Sequence, residues 1–122
     1  MPRLFIYGTL RRDRSQHHRL QDQRFVGEAV TVPEFRLLNL GWYPGLARVP
    51  LLQEGRSIWG EIWEVDDACL QALDVFEGDE YERTRIQVSA TNGVQPVLIE
   101  AYVLLNPDWS RPDAGISWDQ EC

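Results

Sequence analysis

The 122-residue chain has no lysine; all twelve of its basic side chains are arginine. Schiff-base and lysine-nucleophile chemistry are thereby excluded, and basic groups must act through the planar guanidinium, which pairs with carboxylates as a fork. Cysteine is scarce. Cys69 and Cys122 have neither the number nor the spacing of a disulfide framework or a zinc site, so a reducing compartment is expected. Long apolar runs are missing too: Met1 to Leu10 holds only a few consecutive apolar residues, far short of a signal h-region or a membrane span. A soluble cytoplasmic protein is the expectation. GxSxG is absent, neither cysteine sits at a strand-to-helix turn, and no His/Cys/Asp cluster has metal-ligand spacing. That leaves an acid/base site using no metal and no cofactor. His17 and His18 lie in a polar run without a catalytic partner and read as surface residues.

Positive charge is outweighed. Nineteen acidic residues against twelve basic ones give a formal net charge of -7, which repels phosphate backbones and anionic membrane surfaces. No nucleic-acid or membrane partner is expected, and the sequence carries no signal for oligomeric state. The length suits one domain over residues 1–122, able to bury roughly two-thirds of its unfolded surface. Five tryptophans are many for such a chain; most belong in the core and some in a pocket wall.

Leu4, Phe5 and Ile6 form a short apolar run that fits a strand covered on both faces, and Gly8 breaks it after Tyr7. A glycine there is either a turn or a place where the amides of Gly8, Thr9 and Leu10 approach a ligand closely. Arg11 to Arg24 is too polar for a packed helix and reads as a loop or short surface helix. FVGEAVTV and FRLLNL read as strands divided at Pro33, GWYPGLARVP as turns, and SIWGEIWEV as a strand. The period then changes: Asp66 or Asp67 caps a helix running from about Asp67 to about Glu77, with Gly78 as a left-handed stop. YERTRIQVSA and VQPVLIEAYVLL follow as a strand pair joined at Asn92-Gly93, with Pro96 marking a bulge or an edge near that tip. Residues 106–122 form an irregular tail that Trp109 and Trp118 are placed to tie to the body. This order argues for α+β, a small, mostly antiparallel β-barrel with one main helix and short helices against it.

Turned at about 100° per residue, the helix puts Ala72, Phe76, Cys69, Leu73 and Leu70 on one arc, with Glu77 inside it. An unpaired carboxylate there costs several kcal/mol, of order, or takes up a proton. Desolvation and the carbonyls at the helix C-terminus both disfavour its charge, so its pKa should rise toward neutrality, as a group that takes and returns a proton requires. The alternative is a frayed last turn that lets Glu77 pair with Arg83 or Arg85. Asp74, beside the arc, is either a second acid or a solvated edge residue.

LFIYGTLR, WGEIWEV and LDVFEGDEYER together resemble the gamma-glutamylcyclotransferase-like family, nearest its gamma-glutamylamine cyclotransferase branch. The YPGL turn and Tyr102 in EAYVL fit the same pattern, so the resemblance runs from Leu4 to about Leu105. It implies a barrel with a cavity lined by the Tyr7 to Leu10 loop. Gly8, Thr9 and Leu10 would hold the α-amino acid end of a small gamma-glutamyl substrate, and Glu77 would be the catalytic glutamate. In the implied reaction the substrate's α-amine attacks its own gamma-amide, forming 5-oxoproline and releasing an amine, without cofactor. Tyr7 would be a wall or a hydroxyl donor, Tyr81 and Arg83 would line or brace the site, and Tyr102 would add a pocket hydroxyl. Where many members carry a Gly and an Asn after YGTL, this chain has RRDRSQHHRL. The ending AGISWDQ loosely resembles a GDW ending, which would pack Trp118 near the barrel. A second reading, from another class, is a small-ligand binding or regulatory domain on the same fold; a third is cyclisation of a gamma-glutamylated biosynthetic intermediate.

Overall fold

Runs rich in β-branched and aromatic residues alternate with turn residues along most of the chain, and they pair into a single sheet. A computed structural model describes residues 2–50, 53–90 and 95–119. Its strands are β1 (Arg3–Ile6), β2 (Arg24–Thr31), β3 (Phe35–Asn39), β4 (Pro44–Arg48), β5 (Trp59–Glu64), β6 (Tyr81–Ala90) and β7 (Val97–Leu104), with helix α1 (Asp67–Glu77) between β5 and β6. Single 3-10 turns cover His17–Leu20 and Gly78–Glu80. The strand order is β1-β5-β2-β6-β7-β4-β3, and β1 returns to pair with β7, closing β1, β5, β2, β6 and β7 into a barrel. Strands β4 and β3 extend from it. All pairs are antiparallel except β1 with β7 and β4 with β7. The expected α+β architecture is the one found.

Those two parallel pairings position the site. β1 meets β7 at Leu4 opposite Glu100, and β4 meets the same strand further along, at Leu46 opposite Val103. The two strands thus take successive stretches of β7, and a gap opens where β1 leaves and β4 arrives. Tyr7 bridges that seam from inside: its buried hydroxyl donates to the Tyr102 carbonyl at 2.8 Å and accepts from the Leu46 N–H at 3.1 Å.

Alternation along β1 explains its unbroken apolar run. Phe5 and Tyr7 face the barrel interior with Phe35, Ile58, Ile86 and Val88. Leu4 and Ile6 face outward, toward a second core with Leu20, Trp63 and Leu73 of α1. Both faces of β1 are therefore covered.

Proline opens β4, where its missing N–H breaks no ladder. The sequence reads this stretch as turns because two glycines and two prolines in ten residues outweigh the short apolar segment among them. β1 stops at Ile6, one residue earlier than expected. Pro96 lies just before β7, whereas the sheet's register shift falls in β2 between Phe25 and Gly27. The Asn92-Gly93 turn lies outside the described residues; β6 and β7 do pair antiparallel, from Tyr81 opposite Leu104 to Val88 opposite Val97. In the tail, Trp118 is fully buried among the barrel's interior residues, while Trp109 stays 42% exposed. Arg11 donates to the Trp118 carbonyl and Arg14 pairs with Asp119 at 3.1 Å, fastening the tail beside the first loop. No helix among the described residues is long and apolar enough to cross a membrane.

Helix α1 starts and ends where its sequence dictates. Asp66 is the cap, its Oδ1 accepting from the Cys69 N–H at 2.7 Å. Gly78 has φ 71° as expected of a stop, but its ψ of -158° lies outside the left-handed helical region, in a basin open almost only to glycine. No atom crowds the place of a Cβ there, so the cost of a side chain is conformational. Gly78→Ala is expected to destabilise the protein by about 1–3 kcal/mol, read as a lower denaturant midpoint at unchanged slope.

Candidate active site

The gap between β1 and β4 deepens into a cavity of about 340 Å³, walled by the Tyr7 to Leu10 loop, Pro44, Tyr81 and Tyr102, with Glu77 at its side. The loop's backbone is tied on one side only. Gly8 O accepts from Arg11 N at 3.1 Å, Thr9 O from Gln16 N at 2.9 Å, and Leu10 O from His17 Nδ1 at 2.9 Å. The N–H groups of Gly8, Thr9 and Leu10 donate to no acceptor among the described residues. Three successive donors left over at a cavity wall suit an anion.

Two side chains the sequence reading passed over fix this loop. Buried Glu61 of β5 accepts from Arg12 N at 3.1 Å and Arg12 Nε at 3.0 Å, and from Trp63 Nε1 at 3.1 Å. His17, read as a surface residue, is half-buried; besides holding Leu10 O it packs edge-on against Trp63 with ring centroids 5.2 Å apart. Glu61 sat on an ordinary strand pattern in the sequence. Only an inward carboxylate between apolar neighbours hinted at its role.

Gly8 lies against Pro44, and a Cβ there would stand 2.6 Å from the Pro44 Cγ and 3.0 Å from its Cδ. The proline ring cannot swing aside as a flexible chain end would, so the loop itself must move. Gly8→Ala is expected to lower kcat/KM by at least ~10-fold, since displacing a positioning group by about an ångström carries costs of that order, while the thermal transition changes little.

On α1 the stripe facing the barrel is Leu70, Leu73, Asp74 and Glu77, a spacing of three, four and seven residues. This corrects the expected arc: Leu73 alone is fully buried, Ala72 is exposed and Phe76 is 36% exposed. The helix rolls to turn two carboxylates inward. Asp74, expected to be either a second acid or a solvated edge residue, accepts from Arg83 at 2.9 and 3.2 Å and from the Tyr102 hydroxyl at 2.7 Å. Burial pushes its carboxyl up, but the hydrogen bonds from Tyr102 and Arg83 outweigh this and hold it below its ordinary value. Arg83 also donates to Glu100 at 2.8 Å. It lies outside the cavity lining and braces α1 against β6 and β7.

Glu77 is therefore not drawn off by Arg83, and it is half-buried at the cavity wall. Burial, and next the nearby charge of Glu80, push its pKa from 4.5 up to about 7, with Arg19 opposing. The expected direction holds; the second contribution comes from Glu80, where the sequence reading had invoked the helix-end carbonyls. One turn of helix thus separates a carboxyl held ionised from one poised near neutrality, the pattern that divides structural from proton-transferring acids.

The tyrosines complete the polarity of the cavity. Tyr81 donates to the Pro44 carbonyl at 2.7 Å, so the hydroxyl protons of Tyr7, Tyr81 and Tyr102 are all engaged by protein acceptors. Burial pushes all three phenols up, and they remain protonated. Tyr7 is a wall and a brace, with no proton left for a ligand. The phenol oxygens of Tyr81 and Tyr102 and the Glu77 carboxyl offer acceptors for a cation in the same cavity that the loop residues Gly8, Thr9 and Leu10 line.

The family model described as gamma-glutamyl cyclotransferase, AIG2-like, matches residues 4–120. A putative gamma-glutamylcyclotransferase of Vibrio cholerae is 40% identical over 86 residues, 69% of this chain and 70% of its own length. Gamma-glutamylaminecyclotransferase B of Danio rerio is 33% identical over 133 residues, covering 98% of this chain and 69% of that protein. The crystal structure of an AIG2-like protein from Mus musculus superposes with a TM-score of 0.85 at 32% identity, covering 100% of this chain and 90% of that one. By its sequence and its fold, the chain belongs to the gamma-glutamyl cyclotransferase, AIG2-like family.

Proposed function

We propose that the protein is a cyclotransferase that releases 5-oxoproline from a gamma-glutamyl amine or peptide. The substrate's glutamyl end carries a carboxylate and an ammonium on one carbon, and the cavity offers matching ends. The carboxylate is held by the N–H groups of Gly8, Thr9 and Leu10. The ammonium sits against Glu77 and the lone pairs of Tyr81 and Tyr102.

An ammonium cannot attack a carbonyl, and an α-amine is mostly protonated at pH 7. Glu77 takes that proton. The freed nitrogen attacks the substrate's own gamma-carbonyl carbon, closing a five-membered ring; the bond from that carbon to the amide nitrogen then breaks. Glu77 returns its proton to the departing nitrogen as that bond breaks. The second proton, shed by the attacking nitrogen as it becomes the lactam N–H, passes through the same carboxylate to the amine, so the products are 5-oxoproline and an alkylammonium, and no water is consumed. Holding amine and carbonyl in one orientation supplies much of the acceleration. No covalent link to the enzyme is needed.

The observation that carries this reading is the half-buried Glu77 carboxyl, raised to about 7 beside a cavity with unpaired donors. Transfer from an ammonium to a carboxyl near 7 is easier by about 2.5 pK units than transfer to an ordinary glutamate at 4.5. The test is product analysis by mass spectrometry over mixed gamma-glutamyl amines and dipeptides. Stoichiometric 5-oxoproline and free amine support the proposal. Tight binding of these compounds with no product from any of them contradicts it and supports the ligand-binding reading instead.

A further inference from the structure

The mouth of the cavity carries chemistry that ring closure does not use. Trp42, Tyr43 and Phe76 stand on the rim, with Trp42 85% exposed to solvent. Clustered exposed aromatics beside a cavity mark a contact surface. Glu80 joins them. Its carboxylate accepts from the Tyr43 hydroxyl at 3.0 Å and has no ion-pair partner among the described residues. Among the described residues that line the cavity, Glu77 and Glu80 are the only charged side chains, and no arginine or histidine contributes.

Two arginines stand near the mouth but outside its lining. Arg19 lies over the ring of Phe76, its guanidinium carbon 3.8 Å from the ring centroid, and donates through Nε to Gln16 at 2.9 Å. Arg111, whose charge reaches Tyr43, pairs with Asp108 at 3.9 Å. Arg19 on Phe76 also demonstrates that this rim accepts a cation on an aromatic face.

Inside the cavity the glutamyl half finds a partner for each of its charges, so the rim is left for the amine half. Resting on the cyclotransferase reading, we infer that the released amine carries a second positive charge and no carboxylate. It is a diamine-type leaving half whose free ammonium sits among Trp42, Tyr43 and Glu80. A neutral alkyl tail gains only the aromatic contact there. A tail ending in a carboxylate meets two carboxylates in a lining to which no basic side chain contributes among the described residues, an arrangement that disfavours it. An exposed cation–π contact and a screened ion pair together favour the ammonium tail over a neutral one by roughly tenfold. The carboxylate tail should be disfavoured by a further few-fold, of order, through like-charge repulsion.

The test uses three gamma-glutamyl amides of matched chain length, ending in an ammonium (from 1,4-diaminobutane), a methyl group (from n-pentylamine) and a carboxylate (from 4-aminobutyrate). The expected order of kcat/KM is ammonium, then methyl, then carboxylate, with about tenfold between the first two. Glu80→Gln and Trp42→Ala should each compress that ratio. Glu80 also raises the Glu77 pKa and so acts on all three substrates together; ratios taken within each variant isolate selectivity from that common effect. Equal turnover of the three, or preference for the carboxylate, overturns the inference and leaves the cyclotransferase reading standing. If none releases 5-oxoproline, that reading falls, and binding of the three compounds by calorimetry decides the rim's preference by the same order.

Discussion

Glu77→Gln is expected to lower 5-oxoproline formation by ~10²–10⁴-fold, the usual contribution of a positioned general acid/base. Glutamine keeps the size and polarity of the side chain but neither accepts nor returns a proton. Substrate affinity should fall far less, because the loop amides that hold the substrate's carboxylate are untouched. Stability should move in the opposite direction. A folded-state pKa of about 7 against an ordinary 4.5 means that the folded protein binds more protons than the unfolded chain between those values, so its stability falls as pH rises through that window. Above pH 7 the ionised, half-buried carboxylate is a standing cost, and removing it should raise stability by on the order of 1–3 kcal/mol, below the full linkage value because the group is partly open to water. At pH 4 the two proteins should melt together. An inactive variant that is more stable at pH 8 is what a functional, destabilising carboxyl requires; loss of activity with loss of fold would assign Glu77 a structural role instead.

The second large effect is on pH dependence. With Glu77 as the base in the free enzyme, kcat/KM should fall tenfold per unit below about pH 7, so that activity at pH 5 is ~100-fold below its plateau. An acid limb near 4.5 would mean that burial does not tune the carboxyl. The neighbouring charges provide an internal check. Glu80 raises and Arg19 lowers the Glu77 pKa, so Glu80→Gln should move the acid limb to lower pH and Arg19→Gln to higher pH.

Much of this was legible before any coordinates. The limits of α1 followed from Asp66 and Gly78, because capping and glycine stops are local chemistry, and β6 was readable residue by residue from its uninterrupted β-forming run. The position of Glu77 beside a cavity also followed, though the arc used to argue it was rotated from the true one. That error is instructive. Counting only apolar side chains centred the arc toward Phe76, whereas the helix turns Asp74 and Glu77 inward, where Arg83, Tyr102 and the cavity receive them. Periodicity cannot see a carboxylate whose partner lies on another strand.

For the same reason the tyrosines were left open. Tyr7 stands three residues past Leu4, yet its hydroxyl is consumed by Tyr102 and Leu46, groups 95 and 39 positions away. Glu61 and His17, which hold the ligand loop, act through equally non-local contacts. The strand β4 was hidden by its proline and glycines, since a strand start and a turn share the same residues and only the neighbour on β7 distinguishes them.

The central claim, a carboxyl in the cavity wall whose proton affinity is matched to an amine, can be measured without any substrate. Carbon-13 NMR of the glutamate side-chain carboxyls, with Glu77 assigned by its absence in Glu77→Gln, gives the titration midpoint of that one group. A midpoint near 7 is the predicted result. A midpoint near 4.5 would show a carboxylate fully at ease in its surroundings, and would contradict the account.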